Sequence, residues 1–219
     1  MLDFNAITQA RMQEIPYRWA FLENLFPEKY CLELANSYPQ EGLERFQIGE
    51  RSIFPRRVII DETKDVIESP YKLNNCWQEL VDDLRTSVYR AALGELTGLN
   101  LMDDLMYIYF FRFDPEDSIN PHPDASSISM VQLFYFNQEW DTNWGGCLRI
   151  LKDDRADSVF QEIPPLLNTS VILVRSENSW HTVTPVASDA PQSRRVLKVA
   201  FLNQEEFFKQ KASASFVTG

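Results

Sequence analysis

The sequence predicts a mainly β protein with a helical buttress, in which N-terminal helices pack on the outer face of a β sandwich or barrel. From residue 104 onward, short runs rich in β-branched and aromatic residues alternate with clusters of turn-forming residues, a pattern typical of such folds. Before residue 104, apolar residues recur mainly at helical spacing. The 219 residues are 44% hydrophobic, which is enough to bury one substantial core.

Two segments of the N-terminal part have the pattern of helices. Residues 27–35 begin with Pro and Glu, as the first turns of helices do. Residues 74–96 carry the longest apolar stripe at helical spacing, and Gly98 is a suitable residue to end that helix. Residues 51–60 contain several apolar and β-branched residues, and we predict that they form a strand interrupted by Pro55.

Five segments of the second half have the composition of strands. They are residues 105–113, 131–136, 146–151, 170–175 and 195–202. The last residues, 211–219, are small and polar, and we expect them to be mobile. We therefore expect one domain over residues 1–219, with a mainly helical part over 1–103, a β core over 104–203 and a C-terminal tail over 204–219.

The composition restricts the partners and the location of the protein. The net charge of −11 argues against nucleic acid or an anionic membrane surface as a partner. The cysteines, Cys31, Cys76 and Cys147, have no paired spacing, which fits a reducing compartment and argues against a disulfide framework. Neither a signal peptide nor a membrane span is evident. We expect a cytoplasmic protein that acts on a small molecule, and the oligomeric state stays open.

The two histidines of the chain, His122 and His181, suggest a metal site. Residues two apart on a strand point to the same side, so His122 and Asp124 can bind one ion together. His181 is the remaining histidine that could supply a third ligand. Two imidazoles and one carboxylate form the donor set of a mononuclear non-haem iron site with open positions. A His-x-Asp pair alone lies more often in a surface loop, so the complete set of histidines carries the prediction.

The motifs around these residues resemble those of a known family over roughly residues 105 to 203. They are RFDP at 112–115, PHPD at 121–124, LFYFNQEW at 133–140, GGCLRI at 145–150, RSENSWHTV at 175–183 and RRVL at 194–197. Their order and spacing are similar to those of the 2-oxoglutarate- and Fe(II)-dependent oxygenases, on the prolyl-hydroxylase-like branch. The resemblance implies a double-stranded β-helix, of the jelly-roll or cupin type, and Fe(II), 2-oxoglutarate and O2 as cofactors. It also implies that His122, Asp124 and His181 are the metal ligands.

The family binds the far carboxylate of 2-oxoglutarate with a basic residue on a late strand, and two arginines compete for that role. Alternation along the strand places Arg194 with Lys198 on a face that has the polarity of a pocket wall. It places Arg195 with Leu197 on a face that looks packed on helices. We therefore favour Arg194 as the cosubstrate anchor and keep Arg195 as the alternative.

Aromatic residues near the expected cosubstrate site follow the family less closely. Relatives use a tyrosine at the position of Tyr135 to contact the same carboxylate, although an ordinary core tyrosine explains this residue equally well. Relatives often have a second tyrosine where this chain has Phe113. The hydroxyl missing there could be supplied by Tyr107 or Tyr109.

The resemblance implies hydroxylation of an unactivated C–H bond, with release of succinate and CO2. Members that halogenate have a small residue in place of the carboxylate ligand, so Asp124 favours hydroxylation. We expect a small carboxylate-bearing substrate, such as an amino acid or a natural-product intermediate, with its carboxylate paired to Lys198. Lys198 could instead reach solvent or pair with a protein acid. The alternatives are a prolyl hydroxylase acting on a protein or peptide, and a non-catalytic metal-binding cupin or sensor, against which Arg194 argues.

Overall fold

Two antiparallel β-sheets form the centre of the computed structural model, which describes residues 1–48, 52–64 and 71–216. In chain order the strands are β1 (Trp19–Glu23), β2 (Glu44–Ile48), β3 (Ser52–Asp61), β4 (Leu105–Phe113), β5 (Ile119–His122), β6 (Ile128–Tyr135), β7 (Leu148–Leu151), β8 (Val159–Ile163), β9 (Thr169–Val174), β10 (His181–Val183) and β11 (Arg194–Leu202). The large sheet has the strand order β1-β9-β6-β11-β4-β3-β2, and the small sheet has the order β5-β10-β7-β8. The prediction of a mainly β fold is confirmed.

Helices cover the outer face of the large sheet. They are α1 (Phe4–Thr8), α2 (Glu28–Asn36), α3 (Asn75–Leu84) and α4 (Ser87–Thr97), whereas α5 (Gln204–Phe216) follows β11 and adds none of its described residues to the core beneath the other four. Trp77 of α3 lies at the centre of the contact, because its ring packs on Phe110 of β4 at 4.6 Å and on Phe136 at 4.7 Å. In the described part of the chain, no helix combines the length and the apolar character needed to cross a membrane.

Alternation along the central strand β11 separates two cores. Leu197 and Val199 belong to the core between the large sheet and the helices. Val196 and Ala200 belong to the core between the two sheets. The arginine that opens the strand, Arg194, therefore points between the sheets together with the second core, as strand periodicity requires.

The helix predicted over residues 74–96 is wrong in one respect, because the chain forms two helices there. Thr86 separates them: its extended backbone and its hydroxyl, which accepts a hydrogen bond from the Tyr89 N–H, cap the start of α4. The apolar stripe continues across the break because both helices pack on the same core. Gly98 ends α4 in the left-handed conformation, with φ of 68°, as the sequence predicted.

The strand prediction for the N-terminal part was incomplete. β1 and β2 were not predicted, yet they are the two edge strands of the large sheet. The strand predicted over residues 51–60 is confirmed from residue 52, whereas residue 51 lies outside the described residues. The predicted interruption at Pro55 is wrong, because β3 continues through this residue, which pairs with Arg45 of β2. β5, β8 and β10 were also missed, because strands of three to five residues carry too few alternations to be recognised.

The C-terminal segment contains a helix that the sequence did not predict, since α5 extends to residue 216. Asn203 accepts a hydrogen bond from the Glu206 N–H at the start of this helix, and Glu205 pairs with Lys209 one turn later at 2.7 Å. Capping and i,i+4 pairs of this kind support a helix that has little apolar periodicity. Residues 217–219 lie outside the described residues.

Candidate metal and cosubstrate site

The small sheet brings the two histidines together. His122 ends β5 and His181 begins β10, and these residues face each other in the antiparallel register of the two strands. Their rings lie 4.4 Å apart between centroids. Asp124 follows His122 by two residues, and the ligand atoms of the three side chains all lie within 4.8 Å of one another. The structure thus assembles the three residues predicted from the sequence into one group that could hold a metal ion.

Backbone carbonyls orient both imidazole rings. Nδ1 of His122 lies 2.8 Å from the carbonyl oxygen of Asn120, and Nδ1 of His181 lies 2.9 Å from that of Ser179. A carbonyl can only accept, so each Nδ1 carries a proton, and Nε2 is the nitrogen that carries the lone pair in the neutral ring. Hydrogen bonds of this type fix the tautomer and the ring orientation of metal-ligating histidines.

The carboxylate of the group is ionised and paired. Lys198 donates a hydrogen bond from Nζ to Oδ1 of Asp124 at 3.1 Å, and both side chains are largely buried. Burial alone would raise the pKa of Asp124, but the ammonium of Lys198 and, to a smaller extent, the two imidazoles lower this pKa to about 2. Asp124 in turn raises the pKa of Lys198 against the effect of burial. Both groups are therefore charged at neutral pH.

His181 is neutral at physiological pH. Burial lowers the pKa of its imidazole to about 4, although the nearby Asp124 acts in the opposite direction. A neutral imidazole is the form that binds metals. Together with the ionised carboxylate, it gives the nitrogen and oxygen donor set that suits Fe(II).

The structure does not support the expected pairing of Lys198 with a substrate. Its ammonium already has a protein partner, Asp124, which is the alternative that the sequence left open. The physical reason is that a buried ammonium needs a counter-charge. Asp124 reaches it from the small sheet, whereas Lys198 belongs to the large sheet.

Arg194 presents a buried charge without a hydrogen-bonding partner. Its side chain is 0% exposed, and Nε, Nη1 and Nη2 form no hydrogen bond with any described residue. Three aromatic rings surround the guanidinium, those of Phe111, Phe113 and Tyr135, with centroids 5.1–5.6 Å from Cζ. Burial lowers the pKa of Arg194, and Tyr135 opposes this effect. A buried cation of this kind is costly until a carboxylate binds it.

Tyr135 and Gly146 complete the surroundings of this guanidinium. Burial raises the pKa of Tyr135 to about 12, so the hydroxyl keeps its proton, and within the described ranges it has no hydrogen-bond partner. A Cβ on Gly146 would lie 2.9 Å from the Trp140 ring and 3.5 Å from Cδ of Arg194. Glycine at this position, with φ of 63°, therefore leaves room for the Trp140 ring, whereas the arginine stem would only be in ordinary van der Waals contact with a Cβ.

The competing arginine lies on the other face of the strand. Arg195 is partly exposed, and its Cζ lies 5.9 Å from the ring of Tyr38, which belongs to the core beneath the helices. It does not line the cavity that contains Arg194. Alternation along β11 thus puts the two side chains in different environments, as the sequence predicted.

A cavity of about 490 Å³ between the sheets joins these groups. Its lining includes the triad, Arg194 and Lys198, and apolar side chains of both sheets form much of the wall. Sequence reasoning missed one cationic residue of the lining, Arg56 of β3. Its guanidinium carbon lies 5.6 Å from the ring centroid of Tyr107 and 5.0 Å from that of Tyr109. Alternation with Phe54 on β3 could have indicated that Arg56 faces inward.

The fold and the cavity define a class of protein. Two imidazoles and one carboxylate in the lining of a β-sheet cavity can hold a single metal ion and leave coordination positions open. A buried guanidinium without a hydrogen-bond partner in the same cavity fits a ligand that carries a carboxylate. These features are those of a mononuclear non-haem metal protein that binds a carboxylate cosubstrate.

The sequence of the β core matches a family model. Residues 108–202 match the model of the 2OG-Fe(II) oxygenase superfamily, and this segment contains the triad and Arg194. The match confirms the recognition made from the motifs. The chain is a 2-oxoglutarate-dependent dioxygenase, and the matched superfamily uses Fe(II), 2-oxoglutarate and O2. No curated protein matches the chain in a sequence search.

Solved structures support the same fold. A prolyl-4-hydroxylase from Pseudomonas putida superposes with a TM-score of 0.61 at 20% identity, covering 85% of this chain and 92% of that chain. A prolyl hydroxylase from Trichoplax adhaerens, in complex with a hypoxia inducible factor peptide fragment, gives 0.58 at 15% identity, covering 93% and 90%. The epimerase SnoN from nogalamycin biosynthesis gives 0.52 at 12% identity, covering 84% and 78%. These likenesses confirm the double-stranded β-helix fold.

Proposed function

We propose that this protein is an Fe(II)- and 2-oxoglutarate-dependent hydroxylase of a small carboxylate-bearing molecule. In this proposal, His122, Asp124 and His181 bind the iron, and Arg194 binds the far carboxylate of 2-oxoglutarate. The observation that carries it is the buried guanidinium of Arg194, which lacks hydrogen-bond partners among the described residues and lines the same cavity as the triad. A metal-storage or sensor protein has no use for such a group, whereas a dicarboxylate cosubstrate satisfies it.

The residues of the cavity have separate tasks in this reaction. When bound, the iron supplies the O2-dependent oxidation of a C–H bond, coupled to the conversion of 2-oxoglutarate into succinate and CO2. Arg194 orients the cosubstrate through its planar fork of donors, and the Tyr135 hydroxyl can donate to the same carboxylate. The apolar wall excludes bulk water from the reacting groups.

Arg56 supports a substrate that carries a carboxylate. Arg56 is one of three cationic residues that line the cavity, together with Arg194 and Lys198. Arg56 lies across β4 from them, beside the rings of Tyr107 and Tyr109. An arginine can bind a carboxylate with two parallel hydrogen bonds, and the aromatic faces can pack on an apolar substrate body.

Substrate-stimulated succinate release tests this substrate class. We expect free amino acids and other small carboxylates to stimulate release, and their methyl esters to fail. Arg56→Ala should raise the KM for the stimulating carboxylate at least about tenfold, since it removes a charge-assisted contact. Arg56→Lys keeps the positive charge and should raise this KM less.

The second candidate is prolyl hydroxylation of a peptide, favoured by the fold shared with two prolyl hydroxylases. Stimulation by proline-containing peptides alone, with Arg56→Ala unaffected, would establish that candidate instead.

The product should carry a hydroxyl group and no halogen. Asp124 occupies the position that a halide would need at the metal, because its carboxylate lies within 4.8 Å of both histidine ligand atoms. Mass spectrometry of the product formed in chloride buffer measures the outcome. A chlorinated product from the unaltered protein would contradict the role given to Asp124.

A further inference from the structure

Lys198 and Asp124 form a buried bridge between the two sheets. Lys198 lies on β11 in the middle of the large sheet, in register with Tyr109 of β4 and Leu133 of β6. Asp124 lies two residues after the end of β5 of the small sheet. The side chains are 16% and 8% exposed. The ammonium therefore crosses the cavity to reach a proposed metal ligand.

The bridge divides the two oxygens of the carboxylate between two partners. Oδ1 of Asp124 accepts the hydrogen bond from Lys198 at 3.1 Å. Oδ2 is the oxygen that faces the other ligands, at 4.0 Å from Nε2 of His181. A metal bound beside the two imidazoles would thus meet one carboxylate oxygen, while the second remains held by the lysine.

The bridge also affects the charge of the cavity. Among the described residues of the lining, Asp124 is the one carboxylate, whereas Arg56, Arg194 and Lys198 are cationic. A divalent metal ion adds further positive charge close to the ammonium of Lys198. The dianion 2-oxoglutarate removes positive charge from the same cavity. Charges interact strongly in such a water-poor site.

We propose that Lys198 is a positioning residue that sets the charge balance of the metal centre. By holding one carboxylate oxygen of Asp124, Lys198 leaves only the other oxygen for the metal. Its positive charge weakens binding of the metal ion alone and strengthens binding of the dianionic cosubstrate to the metal-loaded protein. The inference rests on the proposed function, since it requires the triad to bind a divalent metal.

Two weaker roles for Lys198 make different predictions from this one. If the lysine only filled space, replacing it by methionine, which has a similar unbranched stem, would leave the affinities for the metal ion and for 2-oxoglutarate unchanged. If it only oriented Asp124, its loss would weaken metal binding by roughly 10–100-fold, as the loss of other outer partners does. A charge-setting lysine instead changes the two affinities in opposite directions. Asp124 should remain in place without it, because the pairing of β5 with β10 positions the adjacent His122.

Calorimetric titration with Mn(II), and then with 2-oxoglutarate into the Mn(II)-saturated protein, tests the proposal without turnover. Compared with the unaltered protein, Lys198→Met should bind Mn(II) at least about tenfold more tightly and 2-oxoglutarate at least about tenfold more weakly. Lys198→Gln, a second neutral variant, should likewise bind Mn(II) more tightly and 2-oxoglutarate more weakly. Lys198→Arg, which keeps the charge, should remain close to the unaltered protein in both.

The outcomes separate the inference from the function on which it rests. If both affinities are unchanged, or both are weakened, in the folded neutral variants, the role given to Lys198 is wrong while the metal site stands. If the unaltered protein binds no Mn(II), the proposed function fails and takes the inference with it.

Discussion

Replacing His181 by alanine should abolish 2-oxoglutarate turnover and weaken metal binding by more than about 100-fold, because loss of even an outer partner of a metal ligand costs 10–100-fold. His181 is buried, neutral and opposite His122 across two paired strands. No other histidine in the 219-residue sequence can replace it. Succinate formation and Mn(II) titration measure the two effects.

The neighbouring loop offers a matched control for this substitution. Glu177 lies four residues before His181, is mostly exposed, and its carboxylate pairs with Arg175. Glu177→Ala should leave turnover and metal affinity unchanged. Normal turnover in the His181→Ala protein would show that the three residues are not the metal ligands.

Replacing Arg194 by alanine should raise the 2-oxoglutarate concentration needed for half-maximal succinate formation at least about tenfold. A hydrogen bond to a charged group contributes roughly 1.5–3 kcal/mol, and the guanidinium can form two to one carboxylate. Arg195→Ala is the matched control, since it removes the same side chain from the opposite face of the same strand. It should leave the cosubstrate requirement unchanged.

Stability measurements distinguish a loss of cosubstrate binding from unfolding in variants of Arg194. The guanidinium is fully buried and has no hydrogen-bond partner among the described residues, so its charge destabilises the cosubstrate-free protein. Arg194→Met should therefore keep or increase the free energy of unfolding measured with urea. Impaired cosubstrate use in Arg195→Ala, with Arg194→Ala unimpaired, would reverse the assignment of the anchor.

The sequence was sufficient for the parts of the site that depend on local geometry. The two-residue spacing of His122 and Asp124 determines that both side chains lie close together, and the chain has only one further histidine. Strand alternation separated Arg194 from Arg195, because the period of two depends on the backbone alone. The change from helical to strand periodicity near residue 104 likewise located the β core.

The parts that the sequence did not predict depend on distant contacts. The partner of Lys198 is Asp124, 74 residues away on the other sheet, and no local pattern encodes that pairing. Arg56 reaches the cavity because β3 joins the edge of the large sheet, beside β4. The break between α3 and α4 was hidden because the apolar stripe runs through it. At Thr86 the side chain caps the start of α4, and this competes with continuation of the preceding helix.

Anaerobic addition of Fe(II) and 2-oxoglutarate to the purified protein tests the central claim most directly. If one cavity holds both the metal and its chelating cosubstrate, a weak visible charge-transfer absorption should appear only when both are present, and it should saturate at one iron per chain. The Arg194→Ala protein should need more 2-oxoglutarate to produce it, and the His181→Ala protein should not produce it. Absence of the band in the unaltered protein at saturating Fe(II) and 2-oxoglutarate would contradict the account.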